Sequence, residues 1–311
     1  MAKILITESV HPIGPELLTA AGHTVVYADR DMDIIRREIV DADAVLVRII
    51  ELPGSLLATA KNLKIVSKHG VGYDNIDLDY CKSHGVAVTI TPNANSLSVA
   101  EHAFTLMLTL AKNIIPVSNE YRTVGFAAKN HAPGIEMTGK TLGLIGMGRI
   151  GKHILHMCRD GLDMHVIVYD PYISEVPEGV EKVDDLSELL RRADVVTLHC
   201  LLTDETRKLI DRERLALMKS TALLINCARG PIVDEAALIE ALENGRLAGA
   251  GLDVTDPEPV APDSPLFKLP NVIVTPHYAP TTVESATRVS KIAAENINAV
   301  LAGQEPVGRI V

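Results

Sequence analysis

The chain has 311 residues, more than one hydrophobic core usually serves, so two domains are expected. Asp and Glu outnumber Lys and Arg by 40 to 30, and a formal charge of -10 repels nucleic-acid backbones and anionic lipid, so neither is an expected partner. Apolar residues make up 47% of the chain and aromatics only 3%, a mixture that suits helices packed on parallel strands.

The amino terminus, M-A-K-I-L-I-T-E, has too short an apolar run for a signal peptide. No later stretch reaches the length of a membrane span, so no membrane contact is expected. Cys81, Cys158, Cys200 and Cys227 are widely spaced and mostly lie inside apolar runs, the pattern of buried, reduced thiols in a cytoplasmic protein.

Over the first ninety residues short apolar strands alternate with helices. Strands are predicted at Lys3 to Thr7, His23 to Ala28, Ala44 to Arg48, Lys64 to His69 and Ala87 to Ile90, with helices such as Pro15 to Ala21 and Ser55 to Ala60 between them. This is the pattern of an open α/β sheet of flavodoxin type. A helix predicted from Ser98 to Arg122 is apolar on nearly every side, which places it between domains or against a second subunit. From Lys140 the alternation restarts, with strands predicted at Thr141 to Gly146, His165 to Asp170, Asp194 to Cys200, Ala222 to Ala228, Gly249 to Val254 and Val272 to Thr275. Between them, Asp234 to Asn244 reads as a helix with Asp at its start and Gly245 as its stop. A last helix, from about Thr282 to Leu301, is long enough to cross back and complete the first domain. The expected fold is α/β, two doubly wound parallel-sheet domains: a flavodoxin-like substrate domain from 1–97 and 288–311, and a Rossmann domain from 98–287.

The strand T-L-G-L-I-G runs directly into G-M-G-R-I-G, which puts Gly146, Gly148 and Gly151 at a strand-to-helix turn. The first glycine permits the tight turn, the second lets backbone approach a pyrophosphate, and the third lets helix and strand pack closely. Arg149 and Ile150 complete the loop, and the amides of the new helix face the phosphates. Asp170 ends the next strand, nineteen residues beyond Gly151, where a carboxylate hydrogen-bonds an adenosine ribose and repels a 2′-phosphate. NAD is therefore favoured over NADP. His153 and His156 stand three apart on a predicted helix, but no third ligand accompanies them and no metal is expected.

Three further fragments lie at the carboxyl ends of predicted strands, where open α/β sheets place their ligands: N-C-A-R-G at Asn226 to Gly230, G-L-D-V-T-D-P-E-P at Gly251 to Pro259, and T-P-H-Y-A-P at Thr275 to Pro280. Together with the glycine loop, G-V-G-Y-D-N-I-D at Gly70 to Asp77 and S-V-A-E at Ser98 to Glu101, they give a chain that resembles, over essentially its whole length, the D-isomer-specific 2-hydroxyacid dehydrogenases. The resemblance implies hydride transfer between NAD and carbon 2 of a small 2-hydroxy acid. It implies that Arg229 grips the substrate carboxylate through its planar fork. His277 is the implied proton donor and acceptor, and Glu258 the carboxylate that orients its imidazole, with Asp256 as the rival for that place. Asp253 matches the position that holds the nicotinamide carboxamide, Cys227 and Ala228 accompany the cofactor, and Gly70, Val71 and Gly72 match the loop whose amides meet the substrate.

Departures from the family pattern are Leu201, where Pro is common near the adenine, and Pro280, where Gly or Ser follows the histidine segment. Arg48 matches an arginine that phosphoglycerate dehydrogenases place near the substrate phosphate, yet Ile49, Ile50 and Glu51 replace the small polar residues usual after it, and a structural strand-end role is equally open. A regulatory carboxy-terminal domain of the kind those enzymes often add is not expected after Val311. The leading expectation is a 3-phosphoglycerate or hydroxypyruvate type of dehydrogenase, with glyoxylate, lactate and sulfolactate types as alternatives. From another class, a cofactor-sensing corepressor-like protein is the competing reading. A homodimer through the NAD domain is expected.

Overall fold

A computed structural model describes residues 1–130 and 132–311. The chain divides into two compact units, Met1–Asn95 with Pro280–Val311, and Ser96–Ala279.

In the first unit five short strands, β1 (Lys3–Ile6), β2 (Thr24–Tyr27), β3 (Ala44–Val47), β4 (Ile65–Lys68) and β5 (Ala87–Thr89), form a parallel sheet in the order β2-β1-β3-β4-β5. That order is the flavodoxin-like winding. Because side chains alternate along a strand, each strand feeds two cores. Ile4, Ile6, Leu46 and Ile65 face the helix Val283–Leu301 through Ala293, Ala294 and Ile297, while Leu5, Val45, Val47 and Val66 face Ile35, Leu57 and Cys81. The helix Ile13–Ala20 packs so closely on Val283–Leu301 that a Cβ on Gly14 would stand 2.8 Å from the Ser290 carbonyl oxygen.

The second unit holds β6 (Thr141–Ile145), β7 (His165–Tyr169), β8 (Val180–Lys182), β9 (Val195–Leu198), β10 (Leu223–Asn226), β11 (Gly249–Leu252) and β12 (Val272–Val274). They form a parallel sheet in the order β12-β11-β10-β9-β6-β7-β8. The order reverses between β6 and β9, the switch point at which such sheets bind ligands beyond their carboxyl ends. Strand β8 has no counterpart among the predicted strands. Val180, Glu181 and Lys182 offer one apolar residue in three, and tertiary pairing with β7 alone makes them a strand.

The apolar helix predicted from Ser98 to Arg122 is two helices, Ser96–Ala111 and Ile114–Val124. Asn113, in the left-handed region at φ 51°, breaks it, and a returning segment caps the break: Ile135 N donates to the Ala111 carbonyl at 2.8 Å and Asn113 Nδ2 to the Pro133 carbonyl at 3.1 Å. The first helix buries Val99, Ala103, Leu106 and Met107, worth about 1.5–3 kcal/mol for each larger side chain. It lies so near β11 that a Cβ on Gly251 would be 3.0 Å from Leu106 Cβ. The second helix buries nothing: Ile114, Ile115, Tyr121 and Val124 are exposed, and Phe126 just beyond it is 73% exposed.

Among the described residues no helix is long and apolar enough to cross a membrane, and no cluster of three or more His, Cys, Asp or Glu could hold a metal ion. His156 instead pairs with Asp160 at 2.5 Å. The four cysteines form no disulfide; Cys81, Cys158 and Cys227 are buried and Cys200 is half-buried. Burial pushes Cys81 and Cys200 up to about 11 and Cys158 up to about 12.

Candidate active site

Strands β10, β11 and β12 are neighbours in register, Asn226 beside Leu252 and Leu252 beside Val274, so the residues that follow them emerge at one edge of the sheet. Main-chain bonds continue past the strands: Asp253 N donates to the Asn226 carbonyl at 2.9 Å, Thr275 N to Leu252 at 2.8 Å, and His277 N to Asp253 at 2.8 Å. Arg229, Asp253, Glu258 and His277, distant in sequence, thus belong to three adjoining strand ends.

Arg229 is extended, at φ -145° and ψ 141°, just before the short helical turn Gly230–Ile232. Asn226 shapes this turn by accepting from Ala228 N and donating to the Arg229 carbonyl, both at 3.0 Å. Gly230 must be glycine, since a Cβ there would overlap the Thr255 carbonyl from the β11 side. Cys227 is buried beside it, its thiol pushed well above the ordinary value by burial and then by the Asp253 charge.

His277 has φ 52°, and its Nδ1 lies 2.6 Å from Glu258 Oε1. Of the two carboxylates weighed for this place, Glu258 is the one that reaches the ring, while the Asp256 amide donates to Glu235. The pair is partly open to solvent, with the histidine side chain 33% and the glutamate 41% exposed. A carboxylate on Nδ1 leaves Nε2 as the ring atom available to exchange a proton with a ligand.

Asp253 is 1% exposed and its carboxylate is fully engaged in the turn that carries His277. Oδ1 accepts from Thr275 Oγ1 at 2.5 Å and Tyr278 N at 2.7 Å, and Oδ2 accepts from Ala279 N at 2.9 Å. His102, on the helix Ser96–Ala111, joins this cluster through Nε2, 3.0 Å from Thr275 Oγ1. The sequence patterns do not single out His102, and they include Thr275 only as the first residue of T-P-H-Y-A-P. The available signal was a lone histidine in an otherwise apolar helix, directly after S-V-A-E.

At the switch point Gly146 has φ 88°, and a Cβ on Gly151 would run into the Gly146 carbonyl. A Cβ on Gly148 would meet nothing, so the space above the turn is open for a large anionic group to approach the backbone. The helix Arg149–Leu162 begins there without any side-chain cap, leaving its first amides for a ligand. Arg149 is exposed and Ile150 half-buried. The Asp170 carboxylate is held by Met147 N at 2.9 Å and Tyr172 N at 3.0 Å, anchored to the glycine turn it would serve. These residues fit a dinucleotide: a glycine cradle, a bare helix start and an acid just beyond the second strand.

In the first unit, Gly70 has φ 146° and its carbonyl accepts from Thr91 N at 2.9 Å, which fixes the loop that continues through Val71 and Gly72. Arg48 follows β3, and the buried Glu8 carboxylate collects its amide at 2.7 Å with those of Ile49 at 2.7 Å and Ile50 at 3.2 Å. Burial and then the Arg48 and Lys68 charges push His69 down to about 4.

The second unit is thus a doubly wound domain of the kind that binds dinucleotides, with a hydrogen-bonded histidine–glutamate pair and an arginine beyond the carboxyl ends of its strands. A family profile described as D-isomer specific 2-hydroxyacid dehydrogenase, NAD binding domain, matches residues 104–279, and the chain belongs to that family. It is 42% identical over 308 residues to the D-3-phosphoglycerate dehydrogenase of Methanocaldococcus jannaschii, covering 98% of this chain and 58% of the relative. It is 38% identical over 319 residues to the glyoxylate reductase of Thermofilum pendens, covering 98% and 93% of the two chains. The chain therefore spans a little over half the length of the phosphoglycerate dehydrogenases it matches. Among solved structures, D-lactate dehydrogenase from Aquifex aeolicus, complexed with NAD and lactic acid, has a TM-score of 0.88 at 32% identity, with 96% of each chain covered.

Proposed function

We propose that the protein is an NAD-dependent dehydrogenase that interconverts a small D-2-hydroxy acid and its 2-keto acid, of the 3-phosphoglycerate or hydroxypyruvate type. The observation that carries the reading is the 2.6 Å pair between Glu258, beyond β11, and His277, beyond β12, beside the strand β10 that leads to the Arg229 turn. Bound nicotinamide supplies or accepts the hydride. Arg229 grips the substrate carboxylate, where two parallel guanidinium bonds fix the orientation that a single ammonium could not. His277 gives a proton to the carbonyl oxygen during reduction and takes it back during oxidation, while Glu258 holds the ring in that tautomer.

Asp170 supports NAD over NADP, because its fixed carboxylate would accept ribose hydroxyls and repel a 2′-phosphate. Gly146, Gly148, Arg149, Ile150 and Gly151 would line the pyrophosphate, and Cys227, Ala228 and Asp253 the remainder of the cofactor. Gly70, Val71 and Gly72 are assigned to the substrate carboxylate, and Arg48 to a second anionic group where the acid carries one. The exposed apolar side chains of Ile114–Val124 and Phe126 support a twofold dimer through the NAD domain.

The relatives divide between phosphoglycerate dehydrogenase and glyoxylate reductase, so glyoxylate reduction is the second reading. The test is NADH consumption, followed by absorbance, against phosphohydroxypyruvate, hydroxypyruvate, glyoxylate, pyruvate and sulfopyruvate. Fastest turnover of phosphohydroxypyruvate or hydroxypyruvate is the expected result. No turnover of any 2-keto acid with either NADH or NADPH overturns the assignment.

A further inference from the structure

We propose that His102 and Thr275 form a positioning relay that holds the turn bearing His277, an inference that rests on the function proposed above. The helix carrying His102 is otherwise mostly apolar, yet this side chain is only 17% exposed and reaches the ends of β11 and β12. Its Nε2 lies 3.0 Å from Thr275 Oγ1 and 3.5 Å from Asp253 Oδ1. Thr275 has one hydroxyl proton, committed to Asp253 Oδ1 at 2.5 Å, so its oxygen can only accept from His102. The imidazole therefore carries its proton on Nε2, and the direction of the chain is fixed: His102 to Thr275 to Asp253.

The last member of that chain anchors the whole turn. Asp253 receives Thr275 Oγ1, Tyr278 N and Ala279 N on its carboxylate and His277 N on its carbonyl. His277 sits in a left-handed conformation that few non-glycine residues adopt and that persists only where the surroundings over-determine it. Of the donors to the carboxylate, the Thr275 hydroxyl is the one that can rotate, and His102 fixes its direction. The His102 ring also stands edge-on to Tyr278, centroids 6.2 Å apart, so it braces the turn on both sides of His277. His102 is thus a positioning residue, acting on proton transfer through the aim of His277 and leaving the Arg229 turn on β10 untouched.

Three variants test this: His102→Leu removes the donor, Thr275→Val removes the hydroxyl at nearly constant volume, and His102→Gln restores an N–H of similar reach. His102→Leu and Thr275→Val should each lower kcat on the order of tenfold, with KM for the keto acid changed by less than about twofold. His102→Gln should recover most of the loss, and the Leu/Val double variant should be no slower than the worse single one. Amide hydrogen exchange at Tyr278 and Ala279 should quicken in the Leu and Val variants and stay slow in the Gln variant. Nitrogen-15 NMR of the wild type should show the Nε2–H tautomer at His102. Multiplicative losses in the double variant, unchanged exchange, or an Nδ1–H tautomer overturns the relay. If the wild type reduces no keto acid, the proposed function fails while exchange and tautomer still judge the relay. If the Leu variant does not fold, Thr275→Val decides the outcome.

Discussion

Replacing His199 with Gln tests whether the strand end beneath the glycine turn depends on a neutral imidazole. His199 directly follows β9; its Nε2 pairs with Thr197 Oγ1 at 2.8 Å, and its Nδ1 is shut off from solvent with no partner among the described residues. Burial pushes this histidine down to about 3, and burial with the Arg48 charge pushes His69 down to about 4. In the unfolded chain each titrates near about 6.5. Between the folded and unfolded values the unfolded chain binds more protons, so stability rises with pH across that window. Both contributions are intact above about pH 6.5 and are lost as pH falls toward the folded values. At pH 5 the unfolded values have been passed by about 1.5 units, which costs about 2 kcal/mol for each histidine. That figure holds wherever the folded value lies well under 5. Urea denaturation at pH 7 and pH 5 should show these two groups removing about 4 kcal/mol from the wild type, and His199→Gln should halve the loss. A variant whose stability falls as steeply as the wild type over that interval would refute the reasoning.

Other perturbations bear on the site itself. His277→Ala should lower kcat on the order of 10² to 10⁴ while NADH titration shows unchanged binding, and Arg229→Lys should recover little of the kcat/KM lost in Arg229→Ala. Asp170→Ala should move the ratio of NADH to NADPH efficiency toward NADPH; a wild type that already prefers NADPH contradicts the assignment of the ribose site. Gly230→Ala should cost about 1–3 kcal/mol in urea denaturation, because its Cβ lands on the Thr255 carbonyl and backbone must shift. Light scattering should report a dimer for the wild type and a monomer for Phe126→Glu; a wild-type monomer at micromolar concentration counts against the dimer.

Much of this molecule is legible in its sequence for physical reasons that can be named. Strands buried on both faces are mostly apolar, which is how β3, with four apolar residues, and β9 and β10, with three of four each, announce themselves. The glycine turn is legible because each glycine answers a separate steric demand, and Gly151 and Gly146 do meet in the structure as that spacing requires. What escaped detection depends on partners far away in the chain. The break at Asn113 follows from Pro133 and Ile135 returning to cap a helix that local pattern would continue. Strand β8 exists because β7 pairs with it. His102 and Thr275 are 173 residues apart, and no periodicity links a helix interior to a strand end at that distance.

The wiring of the three strand ends sets the order in which this site can appear during folding. His277 follows β12, a three-residue edge strand whose residues are only half-buried, bonded along one side to β11. Edge elements with few buried contacts open at lower free energy than the core they flank. A refolding chain can therefore restore the interior of the sheet, and with it most of its compactness and secondary structure, before β12 docks and brings the imidazole to Glu258. Recovery of that pair during refolding is a clock for the arrival of the last strand, and partial fraying of the edge would silence the site in molecules that every global probe still counts as native.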